Sequence, residues 1–268
     1  MLFLIRTALL GITLPLILAS PFPTSMSSDS HLVKRGEPLP TAAPTSIDNI
    51  DTLYQDIYVV TLVNSHTAAI TTAHNGNVGS PTALHDGNST LEAGSTAIFA
   101  VPTGWAGRVA MAEAGYPIRD RASLLEGSFI VPDGLTKGRI ALDVSYVDGF
   151  TVPIACECRG EVVLGCNLNL LDMCPDEYRI DAGTCMNPLR DGGSLAYNFF
   201  NECAGLSYTF PRDDLATVYG IEGCETRIRC CVGTACAPHP RQVLCPVANG
   251  SPQLCSSMYP GNYTAKRV

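Results

Sequence analysis

The sequence predicts a mainly β protein, an antiparallel β-sandwich joined to a small disulfide-rich lobe that contains short helices. Two observations predict this class. From Ile57 to Ile154, short apolar runs are separated by Gly, Asn, Asp or Pro about every ten residues, which is typical of sandwich strands and their turns. All 12 cysteines lie in the second half of the chain, from Cys156 to Cys255, so the crosslinks are expected there.

Each apolar run of the first half is predicted as a strand with its turn. In chain order the runs are DIYVVTLVN, AAITTAHNG, STAIFAVPTGW, GRVAMAEAG, LLEGSFIVPDG, RIALDVSYVDG and FTVPIAC. In the second half, NLNLLDMCPDEY and GSLAYNFFNECAGL have apolar residues at helical spacing and are predicted as short helices. Residues 233–268 contain Pro, Gly and Cys without periodicity and are predicted as a tail.

The N-terminus predicts export. Residues 1–20 combine Arg6, an apolar run and small residues at the end, which is the pattern of a secretory signal peptide. A membrane anchor is the alternative, but the run is interrupted and short for a span. Residues 21–35 read as a pro-segment that ends at the dibasic pair Lys34-Arg35, so the mature chain would begin at Gly36. Residues 36–54 are predicted to be a flexible linker.

The cysteine count and the net charge limit the kinds of crosslink and partner that we expect for this protein. An even number of cysteines in a secreted chain indicates disulfides, and Asn88 and Asn262 begin glycosylation sequons consistent with export. A metal cluster built from Cys230, Cys231, Cys236 and His239 is a weak alternative, because its spacing does not fit zinc sites. The net charge of −8 argues against nucleic acid and anionic membranes as partners. We expect no metal, no cofactor, no membrane anchor and a monomer.

Carboxylates are the candidate catalytic groups of this sequence, because motifs for other chemistries are absent. It has no G-x-G-x-x-G, P-loop, H-E-x-x-H or G-x-S-x-G motif. Three acids lie inside strand-like segments: Glu126, Asp143 and Asp148. Asp143 and Asp148 are five residues apart, so an unbroken strand would point them to opposite faces, but the turn signal at Asp148-Gly149 can restore a common direction. Asp133, in VPDG, reads as a turn residue.

The stretch LDVSYVDGFTVPI resembles the strand-and-turn signature of the thaumatin-like proteins. Further matches follow in the family's order: GRVAMAEAG, ASLLEGSF, CRGEVVLGC, DMCPDEY and LAYNFFNECAGLSYTFPRDD. The resemblance covers residues 55–232, with 55–155 mostly sandwich and 156–232 forming the cysteine-rich lobe and return strands. It implies the bridges Cys158–Cys224, Cys166–Cys203 and Cys174–Cys185. The extra cysteines, Cys156, Cys230, Cys231, Cys236, Cys245 and Cys255, should then pair among themselves.

Family members have an acidic cleft between sandwich and lobe, and its positions can be matched here. The resemblance places the family's arginine at Arg108 and its glutamate at Glu126. Two of its aspartates fall on Asp143 and Asp148, and the third on Asp213, with Asp214 as the alternative. Crowded carboxylates should raise at least one pKa, and Glu126 is the expected proton donor because its neighbours are apolar. The structural alternative is that Asp143 and Asp148 cap turns and Arg108 pairs with one of them.

The resemblance implies a secreted protein of the extracellular space or cell wall whose cleft binds β-1,3-glucan. In the enzymatic version, a weak endo-β-1,3-glucanase, Glu126 donates the proton, Asp143 or Asp148 is the base or nucleophile, and Arg108 tunes them. Alternatives are an antifungal, host-interaction or wall-binding module without catalysis, and an inhibitor of secreted hydrolases. The chain departs from the family at Ser65, where a cysteine is expected, and between Cys185 and Cys203, where a cysteine cluster is missing. The lobe should therefore be smaller.

Overall fold

The computed structural model describes residues 57–86, 90–193 and 196–242. The chain divides into two units, Met1–Ser46 and Ile47–Val268, and all described residues belong to the second. The predicted signal peptide, pro-segment and linker lie outside the described residues. So do Asn88, Asn262, Cys245 and Cys255.

Fifteen strands make up most of the regular structure of the described residues. They are β1 Ile57–Asn64, β2 Ile70–Gly76, β3 His85–Asp86, β4 Thr90–Leu91, β5 Thr96–Pro102, β6 Trp105–Glu113, β7 Ser123–Ile130, β8 Arg139–Ser145, β9 Gly149–Phe150, β10 Ile154–Cys158, β11 Glu161–Cys166, β12 Arg179–Asp181, β13 Thr184–Met186, β14 Val218–Tyr219 and β15 Arg227–Val232. The mainly β class predicted from the sequence is confirmed.

The strands form two large sheets and one small one. The first sheet has the order β11-β10-β15-β1-β5-β3, and the second has the order β14-β8-β7-β6-β2-β4. The third, β12-β13-β9, belongs to the cysteine-rich lobe and takes its last strand from the segment after β8. Within the first sheet β15 runs parallel to β1, so the chain returns after the lobe to the centre of the sheet in which it began.

The hydrophobic core draws on both large sheets. Leu62 of β1, Val109 of β6 and Val144 of β8 are fully buried members of one cluster. Strand β6 shows the alternation that divides the second sheet into two faces, because Trp105, Val109 and Met111 are buried whereas Arg108 is exposed. One face of the second sheet therefore packs into the core, and the side chains of the opposite face point away from it.

Trp105 is a core residue, and the sheet beneath it requires glycine. Its indole nitrogen donates to Nε2 of His74 at 3.3 Å, so that nitrogen of the imidazole acts as the acceptor. A Cβ at Gly107 would lie 2.5 Å from the Asn75 carbonyl oxygen and 2.8 Å from the Trp105 ring. The only tryptophan of the chain therefore packs in the hydrophobic core.

The helical segments of the described chain are short 3-10 turns. They span Leu170–Met173, Asp176–Tyr178, Asn198–Cys203 and Asp214–Ala216. The short helices predicted in NLNLLDMCPDEY are thus present as two 3-10 turns. Pro175 interrupts that segment, and so few residues between crosslinked cysteines cannot offset the cost of nucleating an α-helix.

Five disulfides hold the second half of the described chain. Cys158–Cys224, Cys166–Cys203 and Cys174–Cys185 are the pairs that the resemblance implies. Cys156–Cys230 and Cys231–Cys236 use four of the six extra cysteines, which pair among themselves. The alternative of a metal cluster at Cys230, Cys231 and Cys236 is wrong, because all three sulfurs are oxidised.

Candidate functional site

A charged row crosses the outer face of the second sheet. Arg108 on β6 lies directly opposite Glu126 on β7, and Glu126 lies directly opposite Asp143 on β8. Directly paired residues of antiparallel strands have Cβ atoms about 5 Å apart and share one face. We call Arg108, Glu126 and Asp143 the acidic row. Sheet register alone brings these three predicted residues together.

A segment of the lobe runs alongside β8 and partly covers the acidic row. The backbone nitrogen of Tyr208 donates to the Val144 carbonyl at 2.8 Å, and the Tyr146 nitrogen donates to the Tyr208 carbonyl at 2.7 Å. Glu126 and Asp143 are consequently half-buried, although they point away from the core. The row therefore lies where sandwich and lobe meet, in a site only partly open to solvent.

Burial dominates the electrostatics of the two acids. It raises the pKa of Asp143 to about 7, and the charge of Glu126 adds to the shift. Burial also raises the pKa of Glu126, helped by the charge of Asp148 and opposed by a hydrogen bond from Ser145 and by Arg108. Two such carboxyls side by side titrate as a coupled pair. The raised pKa of Asp143 is an additional finding, since the sequence analysis expected the raised pKa at Glu126.

Asp148 reaches the same region from beyond the end of β8. The strand stops at Ser145, and the chain bends before β9 begins at Gly149, so the parity of an unbroken strand does not apply. A Cβ on Gly149 would lie 2.6 Å from the Arg121 carbonyl oxygen and 2.7 Å from that of Cys185, so only glycine fits. Burial raises the pKa of Asp148, and the charge of Arg108 opposes that shift.

Arg190 is a residue that sequence reasoning missed. Its guanidinium lies 3.1 Å from Asp148, 3.5 Å from Asp120 and 3.4 Å from Asp191. It belongs to MNPLRDGG, the segment that stands where the family's cysteine cluster is missing. The Asn187 side chain holds this segment down by donating to the Tyr146 carbonyl at 3.1 Å. Asp148 thus has a structural partner, as the structural alternative required, but the partner is Arg190.

The two candidates for the third aspartate have different surroundings. Asp213 is buried, and its Oδ2 accepts from the nitrogen of Gly205 and from the nitrogen and hydroxyl of Thr209 at 3.0–3.3 Å. That carboxylate therefore makes its hydrogen bonds within its own loop. Asp214 accepts from the Tyr208 hydroxyl at 3.0 Å instead. Asp214, the alternative from the sequence, is thus connected through Tyr208 to the segment beside β8, whereas Asp213 accepts from donors of its own loop.

Tyr208 provides that link and is the second residue that the sequence analysis missed. Burial raises its pKa to about 12, and the charges of Asp143 and Asp214 contribute to the shift. Its hydroxyl also lies 2.8 Å from the Thr217 hydroxyl. The motif LSYTFPRDD contained Tyr208, but nothing in the sequence shows that its backbone pairs with β8.

The described residues also form a cavity away from the acidic row. A cavity of about 760 Å³ opens beside the first residues of β8 and is lined by Phe129, Leu135 and Arg139, among others, but by none of the acids of the row. Within residues 57–86, 90–193 and 196–242, no group of three His, Cys, Asp or Glu residues is arranged to hold a metal ion. Over the same ranges, no helix is long and apolar enough to cross a membrane.

Comparison with known proteins gives only distant structural similarity. No family model and no curated protein matches the chain. Among solved structures, the protein elicitor MoHrip2 from Magnaporthe oryzae matches with a TM-score of 0.36 and 12% identity, over 65% of this chain and 98% of that one. A similarity at this level assigns no activity to this chain.

Proposed function

We propose that the protein is a secreted, thaumatin-like, wall-binding protein and that its acidic row binds β-1,3-glucan. The alignment of Arg108, Glu126 and Asp143 on directly paired strand positions carries the proposal. It sets a guanidinium, which only donates hydrogen bonds, beside carboxyls that accept them. Sugar hydroxyls both donate and accept, so this mixture suits a neutral polysaccharide.

Two further observations support the same proposal. The thaumatin-like proteins that the sequence resembles have their acidic cleft between sandwich and lobe, and the acidic row lies at that junction. Five disulfides in the described chain are typical of a protein that folds in an oxidising, extracellular compartment. Both agree with a protein that meets cell-wall polysaccharide after export.

Slow hydrolysis of the glucan is the second candidate function. The pKa of Asp143, about 7, favours it, because a carboxyl that is still protonated near neutral pH is a competent general acid. Glu126, whose charge Arg108 and Ser145 stabilise, would then be the base or nucleophile. The sequence analysis gave Glu126 the donor role, and these pKa shifts favour the exchange. A separation of about 5 Å between the two carboxyl groups would suit a retaining mechanism, and one of about 6.5–9.5 Å an inverting mechanism.

The test measures binding and cleavage in one tube. Insoluble β-1,3-glucan is incubated with the protein, and bound protein and released reducing sugar are both quantified, with insoluble cellulose as the polymer control. We expect binding to β-1,3-glucan well above binding to cellulose, and weaker binding for Arg108→Gln. Asp133→Asn is the matched control, because it removes an exposed acid from the loop between β7 and β8, beyond the paired strand positions that carry the row.

The outcomes separate the two functions. If wild type binds and releases sugar, Asp143→Asn should abolish release and keep most of the binding, since an amide cannot donate the proton. If wild type binds and releases nothing, the site recognises glucan without catalysis. Equal binding to glucan and cellulose, or no binding to either, would overturn the proposal.

A further inference from the structure

Building on the proposed glucan site, we propose that Tyr219 is a stacking platform that binds one sugar unit next to the acidic row. Sugars present flat, apolar C–H faces, and proteins commonly hold these against aromatic rings. The acidic row supplies polar contacts only. A glucan site on this face therefore needs an aromatic ring nearby, and the sheet offers one.

Sheet register places Tyr219 on the same face as the row. Tyr219 on β14 lies directly opposite Ala141 on β8, and paired residues share a face. Ala141 is two residues before Asp143, and residues two apart on a strand also share a face. The preceding residue, Val218, packs against the core, as alternation requires for an outward Tyr219.

Exposure separates Tyr219 from the other aromatic side chains. It is 73% exposed, and within the described ranges it is the only aromatic residue among the exposed large hydrophobic side chains. Trp105 is 2% exposed and lies in the core, so it cannot serve as a platform. Tyr208 is half-buried, and Asp214 and Thr217 hold its hydroxyl.

The spacing suits neighbouring units of one glucan chain. Tyr219 is one strand across and two residues along from Asp143, so their Cα atoms should be about 8 Å apart. On the neighbouring strands, the positions paired in line with Tyr219 are Ala141, Ser128 and Ala106. Their side chains are small, so they leave space for a sugar chain beside the acidic row. A chain stacked on Tyr219 would place its next unit over Glu126 and Asp143, and so would run diagonally across the strands.

The test uses soluble β-1,3-linked gluco-oligosaccharides of two to six units, with binding measured by calorimetry. Wild-type affinity should rise with chain length up to the length that spans Tyr219 and the row. Tyr219→Ala should lose about tenfold in affinity for the longer oligosaccharides and little for the disaccharide. Tyr219→Trp should restore the length dependence, which a merely structural role would not produce. Leu215→Ala is the matched control, because it removes another exposed apolar side chain, 70% exposed, close in sequence.

Failure of this inference can be told apart from failure of the proposed function. If wild type and Tyr219→Ala bind all lengths equally well, the glucan site stands without the platform. If Leu215→Ala weakens binding as much as Tyr219→Ala, the effect is not stacking, and the inference is again overturned. If wild type binds no oligosaccharide and no insoluble glucan, the proposed function and the platform both fall.

Discussion

At the scale of single residues, Asp143 carries the largest consequence for pH. In the unfolded chain its carboxyl ionises near the usual value of 3.8, whereas in the folded protein its pKa is about 7. Between these values the folded state binds more protons than the unfolded state, so Asp143 lowers the free energy of unfolding as pH rises from 4 to 7. Above pH 7 the Asp143 carboxyl is ionised in both states, and the loss of stability caused by burying its charge is fully present.

Asp143→Asn should therefore stabilise the protein in a pH-dependent way. The amide resembles the protonated acid, so the variant should unfold at a higher temperature than wild type at pH 8, with a gain of a few kcal/mol at most. At pH 4 the two proteins should differ little. Thermal unfolding at both pH values, with Asp133→Asn as the surface control, measures the difference. Equal gains at pH 4 and pH 8 would show that the Asp143 carboxyl is not a high-pKa group.

The neighbouring aspartates Asp213 and Asp214 should differ in their response to alanine. Asp213→Ala leaves the donors of Gly205 and Thr209 without their acceptor inside the protein, which should cost about 2 kcal/mol or more. Asp214→Ala removes a contact of the Tyr208 hydroxyl and should change stability by much less. Urea unfolding of both variants checks the order. If Asp214→Ala proves the more destabilising, the occupied carboxylate has been assigned to the wrong residue.

At the scale of elements, β9 connects the lobe to Asp148, beside the acidic row. Strand β13 pairs with β9, which follows directly after Asp148, and Cys185 of β13 is crosslinked to Cys174. Replacing both cysteines with serine removes a bridge over a sequence separation of 11, and should cost about 2–3 kcal/mol. Glucan binding by the folded remainder should also weaken, because Asp148 loses its support. Denaturant unfolding and glucan pull-down check both effects. Unchanged binding would mean that the lobe does not position the site.

The sequence predicted the elements of the sandwich better than those of the lobe. Period-two alternation between turn residues is a local signal, and it identified the segments of β6, β7 and β8. The acidic row depends on register, which no local pattern shows, so the resemblance was needed to group Arg108, Glu126 and Asp143. Arg190 and Tyr208 could not be predicted, because each reaches the site through a loop whose path depends on lobe packing. The parallel pairing of β15 with β1 could not be predicted from local patterns either, because it joins segments far apart in the chain.

At the scale of the whole molecule, the sequence predicts that the working protein is a processed, exported chain. The dibasic pair Lys34-Arg35 predicts that secreted protein begins at Gly36, although this segment lies outside the described residues. N-terminal sequencing of protein secreted from a eukaryotic host checks the prediction, and Lys34→Ala should shift the start. A mature chain beginning at Pro21 would refute cleavage at this pair.

A neutral β-1,3-glucan is expected to bind across the outer face of the second sheet. Amide chemical-shift mapping by NMR tests this most directly, with a β-1,3-linked glucohexaose titrated into the isotope-labelled mature protein and a β-1,4-linked glucohexaose as control. We expect saturable shifts centred on Arg108, Glu126, Asp143 and Tyr219, with far smaller shifts for the control sugar. Shifts centred instead on the cavity beside Leu135 and Arg139, or no saturable shifts at all, would contradict a glucan site on this face.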